Sequence, residues 1–209
     1  MSTTSPSALS WQTGCQRNDS EKLNCRYFGD KFHNSKKGTI MRIVFQNING
    51  LGTSEETDKR DFIREFINKY NVDCFCMAEV NINWKIVAKK ESLHNLARSW
   101  FRNSRVVTSN NLLNNTKYPH QQGGVGMIVS GDTSLRVTEV SSDKFKLGQW
   151  CSSLFRGQQH CALRVVSVYV PHIPTGSDHG NLTVYSQQQA ALLQIKRYES
   201  VVDAFWGDF

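Results

Sequence analysis

Apolar positions run almost unbroken from Ile40 to Gln46, and the run then breaks into Asn47-Ile48-Asn49-Gly50-Leu51. A short β-rich run closed by amides and a glycine predicts a buried strand that ends at that point. Asn47 and Asn49 occupy alternating positions where the strand runs out, which sets them on one face if the strand geometry continues. Beyond them Thr53 and Glu56 have capping-box spacing, and Asp58 is a second candidate N-cap. Phe62, Ile63, Phe66, Ile67 and Tyr70 then recur at helical spacing, with Lys59, Arg60, Asp61, Arg64 and Glu65 on the other side. Val72 to Ala78 is a second apolar run, ending in Glu79. Strand, helix and strand make a β-α-β unit whose right-handed crossover sets the two strands parallel in one sheet. Asn47 and Glu79 are then expected at the same carboxyl edge, where open α/β sheets carry their chemistry.

The pattern downstream is mixed. Trp84, Lys85, Lys89, Lys90, Leu93, Leu96, Ala97, Arg98 and Trp100 predict one or two amphipathic helical pieces. Asn110 to Gln122 reads as a polar loop. Then the period shortens. Gly124–Val129, Leu135–Val140, Gln149–Phe155 and Ala162–Val170 read as strands, with turns at Gly131-Asp132, Ser141-Ser142-Asp143 and Gly157 to His160. Connections this short predict an antiparallel meander. Gly123-Gly124-Val125-Gly126 opens a strand and no helix, so it reads as a turn and a close-packed strand start, not a phosphate loop. Pro171, Pro174 and Gly176 mark a loop. Thr183 is placed to cap a long helix carrying Leu192, Leu193, Ile195, Tyr198, Val202 and Phe205.

Residues 1–38 are rich in Ser, Thr, Asn, Lys and Gly without a sustained period, and are expected to be a disordered leader to a domain spanning 39–209. The 209 residues suffice for one domain with a real core. No apolar run approaches the roughly 20 residues of a membrane span. Met1 to Ser10 lacks the basic and apolar segments of a secretory signal, so the expected location is intracellular, nucleus or cytoplasm. A net charge of +7 favours a polyanionic partner. Of six cysteines, Cys74 and Cys76 share a strand face and match no zinc spacing, while Cys15 and Cys25 lie in the polar leader. Free thiols in a reducing compartment are the expectation. His94, His120 and His160 lack partner spacing and read as loop or surface residues.

Three polar groups sit at strand ends: Asn47, Glu79 and Tyr169, the last just before Val170-Pro171. One amide, one carboxylate and one phenol suit a hard cation such as Mg²⁺, with Mn²⁺ the alternative. Such an ion keeps several waters and needs few protein carboxylates when a substrate phosphate completes its shell. Taken singly, Asn47 and Asn49 also suit a turn, because Asn tolerates a left-handed backbone.

Gln46-Asn47-Ile48-Asn49-Gly50-Leu51, Met77-Ala78-Glu79, Gly123 to Val129 and Val168-Tyr169-Val170-Pro171, in that order, resemble the first part of the endonuclease/exonuclease/phosphatase superfamily. The nearest likeness is to endonuclease domains of LINE-type, non-LTR retroelements. The resemblance implies a DNase I-like, four-layer α/β sandwich with two mixed sheets, here incomplete at its carboxyl end. It implies divalent-metal cleavage of phosphodiesters, with DNA as the expected partner. Glu79 would then be a metal ligand, Asn47 an active-site amide beside the metal, and Tyr169 a phosphate contact.

Family members also carry a later strand ending in Asp-x-Asn and a closing Asp-His pair. Ser177-Asp178-His179 spells the terminal triplet too soon after Tyr169. Gly207-Asp208-Phe209 has the opening of Asp-x-Asn, but Val201, Val202, Phe205 and Trp206 read as a continuing helical stripe, so a helix end is expected there. Weak or absent activity is expected on this reading. The alternatives are a non-catalytic nucleic-acid-binding module and a genomic relic. Lys85, Lys89 and Lys90 beside Trp84 are candidate backbone contacts, or a solvated helix face.

Overall fold

The computed structural model describes residues 36, 40–52, 58–112, 117–157 and 161–170, and the backbone alone of 58 and 204–208. All belong to the unit Ser35–Phe209. The elements are β1 (Ile43–Asn47), α1 (Asp58–Lys69), β2 (Cys74–Ala78), a 3-10 turn (Lys89–Glu91), α2 (Leu93–Trp100), β3 (Ser104–Ser109) and β4 (Val125–Ser130). A second 3-10 segment (Gly131–Arg136) leads to β5 (Val137–Ser142), β6 (Trp150–Arg156), β7 (Ala162–Tyr169) and β8 (Ala204–Asp208).

Two four-stranded sheets result, ordered β1-β2-β4-β3 and β5-β6-β7-β8. In the first, β1 and β2 are parallel with Asn47 opposite Ala78, and β4 runs antiparallel to both β2 and β3. In the second, β5, β6 and β7 form a meander and β8 joins β7 in parallel. Both sheets are mixed, as expected.

Strand alternation sorts the side chains of the first sheet. Phe75 and Met77 face α1 and α2, packing against Ile63, Ile67, Tyr70, Leu93 and Ala97. Cys74, Cys76 and Ala78 face the second sheet, where they meet Cys151, Phe155, Val165 and Tyr169. Burying each large side chain of this kind is worth about 1.5–3 kcal/mol, so the helical stripe on α1 is what anchors it to the sheet. Gly126 is small for a reason: a Cβ there would lie 3.1 Å from Met77 Cε and 3.2 Å from Leu93 Cδ2, where α2 packs closest to β4. The described residues thus form a helix layer and two sheets. The long helix expected from Thr183 onward lies outside the described residues except at 204–208.

At the edge opposite the strand ends, buried Asp73 ties the sheet together. It accepts from the Arg42 backbone N–H at 2.7 Å and from Thr133 Oγ1 at 2.7 Å, and pairs with Lys36.

Several expectations are corrected. β1 begins at Ile43, and Ile40 is exposed. β3 had no strand assignment, and it completes the first sheet beside β4. Consequently β4 does not belong to the meander, which holds β5 to β7 alone. Leu135 lies in the 3-10 segment and is 71% exposed, so the strand is displaced to Val137–Ser142 and takes in Ser141 and Ser142. The turn that follows is organised by Asp143, whose carboxylate accepts from the backbone N–H groups of Phe145, Leu147 and Gln149 at 2.8–3.3 Å. The helical reading of 84–100 contracts to one 3-10 turn and the eight residues of α2, with Lys85 in a turn. The helix end expected at 205–208 is a strand: Phe205 is the partner of Val166. The Thr53/Glu56 box, the leader apart from Lys36, and most of the long helix fall outside the described residues. No described helix is long and apolar enough to cross a membrane.

Candidate active site at the strand ends

β1 delivers Asn47 on the face shared with Ile43 and Phe45, toward the second sheet. The chain then turns. Asn49 has φ +44°, and its N–H donates to Asn47 Oδ1 at 3.1 Å. Strand geometry stops at Asn47, so the expectation that both amides share a strand face gives way to an Asx-type turn in which one supports the other. The turn stays tied to β2: Ile48 N–H donates to Ala78 O at 3.1 Å, Gly50 N–H to Glu79 O at 2.6 Å and Leu51 N–H to Val80 O at 3.0 Å. On its other side the Lys59 ammonium, from α1, donates to the carbonyls of Ile48, Asn49 and Gly50 at 2.7, 3.1 and 2.7 Å. Burial draws the Lys59 pKa below its ordinary value, while the three carbonyls oppose that loss by favouring the ammonium.

Glu79 follows β2 directly and is half-buried, with φ +51°. A glutamate in the left-handed region costs about 1–3 kcal/mol, and such strain collects at functional edges. It is held on both sides: Gly50 N–H binds its carbonyl, and the next residue, Val80, donates to Gly124 O at 3.1 Å.

Tyr169 ends β7, is 9% exposed, and packs in the inter-sheet core with Ala78 and Val125. Its N–H donates to Gln149 O at 2.7 Å. A Cβ on Gly123 would lie 3.2 Å from Tyr169 Cε1, so the ring lies directly over the turn that opens β4. Across the parallel pairing, Asp208 is the register partner of Tyr169, and β8 lies against β1. The carboxyl ends of β1, β2, β7 and β8 therefore converge, carrying Asn47, Glu79, Tyr169 and Asp208.

Two mixed sheets packed face to face have known counterparts. An AP endonuclease from Archaeoglobus fulgidus matches with a TM-score of 0.51 and 13% identity, over 81% of this chain and 57% of that one. An endonuclease/exonuclease/phosphatase from Bacteroides vulgatus matches with a TM-score of 0.51 and 15% identity, over 81% of this chain and 65% of that one. D. rerio TDP2 in complex with single-strand DNA product matches with a TM-score of 0.50 and 12% identity, over 80% and 60%.

The fold is the DNase I-like fold of the endonuclease/exonuclease/phosphatase group.

The chain spans 57–65% of the length of these structures. No family model matches the sequence, and neither does any curated protein. Within this DNase I-like fold the other candidates separate clearly. Lys85, Lys89 and Lys90 are exposed on the segment that leads into α2. α2 reaches β4 at Gly126 through Leu93, close to the polar edge. His94 and His120 are exposed, as expected; burial, Arg98 and Arg105 push the His94 pKa down. His160 and Ser177-Asp178-His179 lie outside the described residues. Cys74 and Cys76 are buried free thiols with sulfurs 3.8 Å apart; the hydrogen bond between them and their burial raise the Cys74 pKa well above the ordinary range. Among the described residues no three His, Cys, Asp or Glu side chains converge as a metal cluster.

Sequence reasoning missed three residues of this edge. Lys59 had only the signature of a solvated helix face. Asn81 stood in a run with no periodicity. Asp208 was recognisable as the start of a motif, but apolar Phe205 and Trp206 fitted a helical stripe as well as a strand.

Proposed function

We propose that this chain is a metal-dependent phosphodiesterase domain acting weakly on nucleic acid, with DNA as its substrate. The observation that carries the reading is the convergence of four strand ends bearing Asn47, Glu79, Tyr169 and Asp208. The described donors of Asn47, Glu79 and Tyr169 are hard oxygens, which suit Mg²⁺ or Mn²⁺. Asn47 Oδ1 accepts from the Asn49 N–H at 3.1 Å, which holds the amide at the end of β1. Glu79 and Asn47 would hold the ion. When bound, such an ion neutralises phosphate charge and lowers the pKa of water.

The protein residues divide the remaining work. The Tyr169 phenol donates to a non-bridging phosphate oxygen and so orients phosphorus. The attacking water needs a proton acceptor within hydrogen-bond reach, and the backbone of β8 brings an aspartate position, 208, to this edge. Lys85, Lys89 and Lys90 supply sequence-independent attraction for the polyanion. DNA is favoured over other phosphoesters by the likeness of the four motifs to LINE-type retroelement endonucleases, and a retroelement origin belongs to the same reading. The TDP2 complex with single-strand DNA product is consistent with that choice.

A plasmid-nicking assay tests it. Relaxed circles should accumulate with Mg²⁺ or Mn²⁺, disappear with chelator, and fail to form with Glu79→Ala. Salt-dependent DNA binding without nicking would instead establish a binding module. Neither binding nor nicking by the folded protein would sink both.

A further inference from the structure

Asn81 joins the loops that carry the groups assigned to chemistry. Its backbone is left-handed, with φ +56°. Its N–H donates to Gly123 O at 2.8 Å, and its Oδ1 accepts from Gly123 N–H at 2.7 Å, so both polar groups of Gly123 are held by one residue. Gly123 is the surface on which the Tyr169 ring lies. The Asn81 carbonyl accepts from Gln121 N–H at 3.0 Å. Gln121 is buried, and its side-chain amide binds Asn110 Nδ2 at 3.1 Å and the Asn111 carbonyl. On the opposite side, Asn81 Nδ2 is the atom nearest the position a Gly50 Cβ would take, at 3.7 Å. Gly50 in turn holds the Glu79 carbonyl.

We infer that Asn81 is a positioning residue that fixes the Glu79 turn against the Tyr169 ring, an assignment that rests on the proposed phosphodiesterase reading for its catalytic consequence. The residue type follows from two requirements. The position needs a side chain that tolerates a left-handed backbone, and it needs an acceptor two bonds from Cβ, carried on Cγ, to reach Gly123. Asn and Asp meet both. Gly meets the first alone, and Ala meets neither.

This gives a graded test. Asn81→Gly removes the acceptor without backbone strain, and Asn81→Asp restores it. Displacing a catalytic group by about 1 Å costs on the order of 10²-fold, so Asn81→Gly should lower kcat on an oligonucleotide duplex by that order at saturating Mg²⁺, leaving KM within about twofold. Asn81→Asp should recover kcat to within about threefold, a recovery that loss of the acceptor alone explains. The second readout needs no activity. In NMR spectra, Asn81→Gly should shift both the Gly123 amide and the Tyr169 ring resonances, and Asn81→Asp should leave the ring where it is in the parent. A Tyr169 ring unmoved in a folded Asn81→Gly protein overturns the inference. So does kcat retained in that variant, or kcat lost equally in the Asp variant. If the parent protein nicks no DNA, the phosphodiesterase reading falls, and the ring and amide shifts still decide whether Asn81 positions the edge.

Discussion

Tyr169 and Asp208 are register partners across the parallel pairing of β7 and β8, 39 positions apart in the chain and adjacent in the sheet. This pairing turns an apparent helix end into the fourth corner of the polar edge. On the proposed phosphodiesterase reading, with the aspartate at position 208 as proton acceptor, Asp208→Asn should reduce nicking by about 10²–10⁴-fold, the usual worth of general-base catalysis. DNA affinity should stay at or somewhat above that of the parent protein, since the substitution removes a negative charge facing a polyanion. An Asp208→Asn protein that nicks at the parental rate would remove Asp208 from the mechanism.

How much of this was legible depended on where the pairing partner lay. β1, α1 and β2 were readable because Phe45, Ile63, Ile67 and Phe75 mark local periods that one stretch of sequence contains. β3 was not, because it lies at the sheet edge. Ser104, Arg105 and Thr108 stay partly or wholly exposed, and only Val107 and Ser109 are buried. β8 was not, because Ala204 to Asp208 has no alternation, and its strand state comes from β7, which is distant in sequence. The site followed the same rule. Asn47, Glu79 and Tyr169 end apolar runs and announce themselves. Lys59 and Asn81 act on backbone atoms of other loops, which no side-chain pattern records.

Gly123→Ala should disturb the edge in a way that Gly131→Ala does not. Both glycines have positive φ, +84° and +63°, so either substitution costs about 1–2 kcal/mol in backbone strain. At Gly131 nothing lies within 4 Å of the added methyl, whereas at Gly123 it meets Tyr169 Cε1 at 3.2 Å. Urea unfolding should show the larger loss for Gly123→Ala. Nicking should fall in that variant alone. Equal stability losses with equal nicking would mean the ring yields freely and the contact has no bearing on the site.

Acid should act on the second sheet through Glu139. Its carboxylate accepts from Arg164 Nη1 and Nη2, both at 3.2 Å, and from Ser141 Oγ at 3.0 Å. The hydrogen bonds from Arg164, then Ser141, hold its pKa below the ordinary glutamate value. A carboxylate whose pKa is depressed on folding adds stability above its unfolded pKa, and that stability is lost as pH falls through the folded value. Because Arg164 is buried and Glu139 exposed, the effect is small and screened by salt. The urea midpoint of the parent should drop more steeply than that of Glu139→Gln between roughly pH 5 and pH 3. Parallel curves would show that the pair is energetically silent.

Lys59 makes the most direct claim on the turn that follows Asn47. Its ammonium serves three consecutive carbonyls, those of Ile48, Asn49 and Gly50. Lys59→Met keeps the aliphatic stem and removes every donor. Hydrogen bonds to charged groups are worth about 1.5–3 kcal/mol when buried, but Asn49 is exposed and water replaces part of what is lost, so a net cost of about 1–2 kcal/mol is expected. The functional loss should exceed the stability loss. Releasing the turn frees the Asn49 N–H that holds Asn47 Oδ1, and Mg²⁺ should then saturate nicking at a higher concentration. Lys59→Arg, with a wider and planar donor head, should restore stability better than metal response, because it cannot address three carbonyls from one point. Should Lys59→Met shift the melting temperature and leave the Mg²⁺ dependence untouched, the lysine fastens α1 to the sheet and has no part in shaping the site.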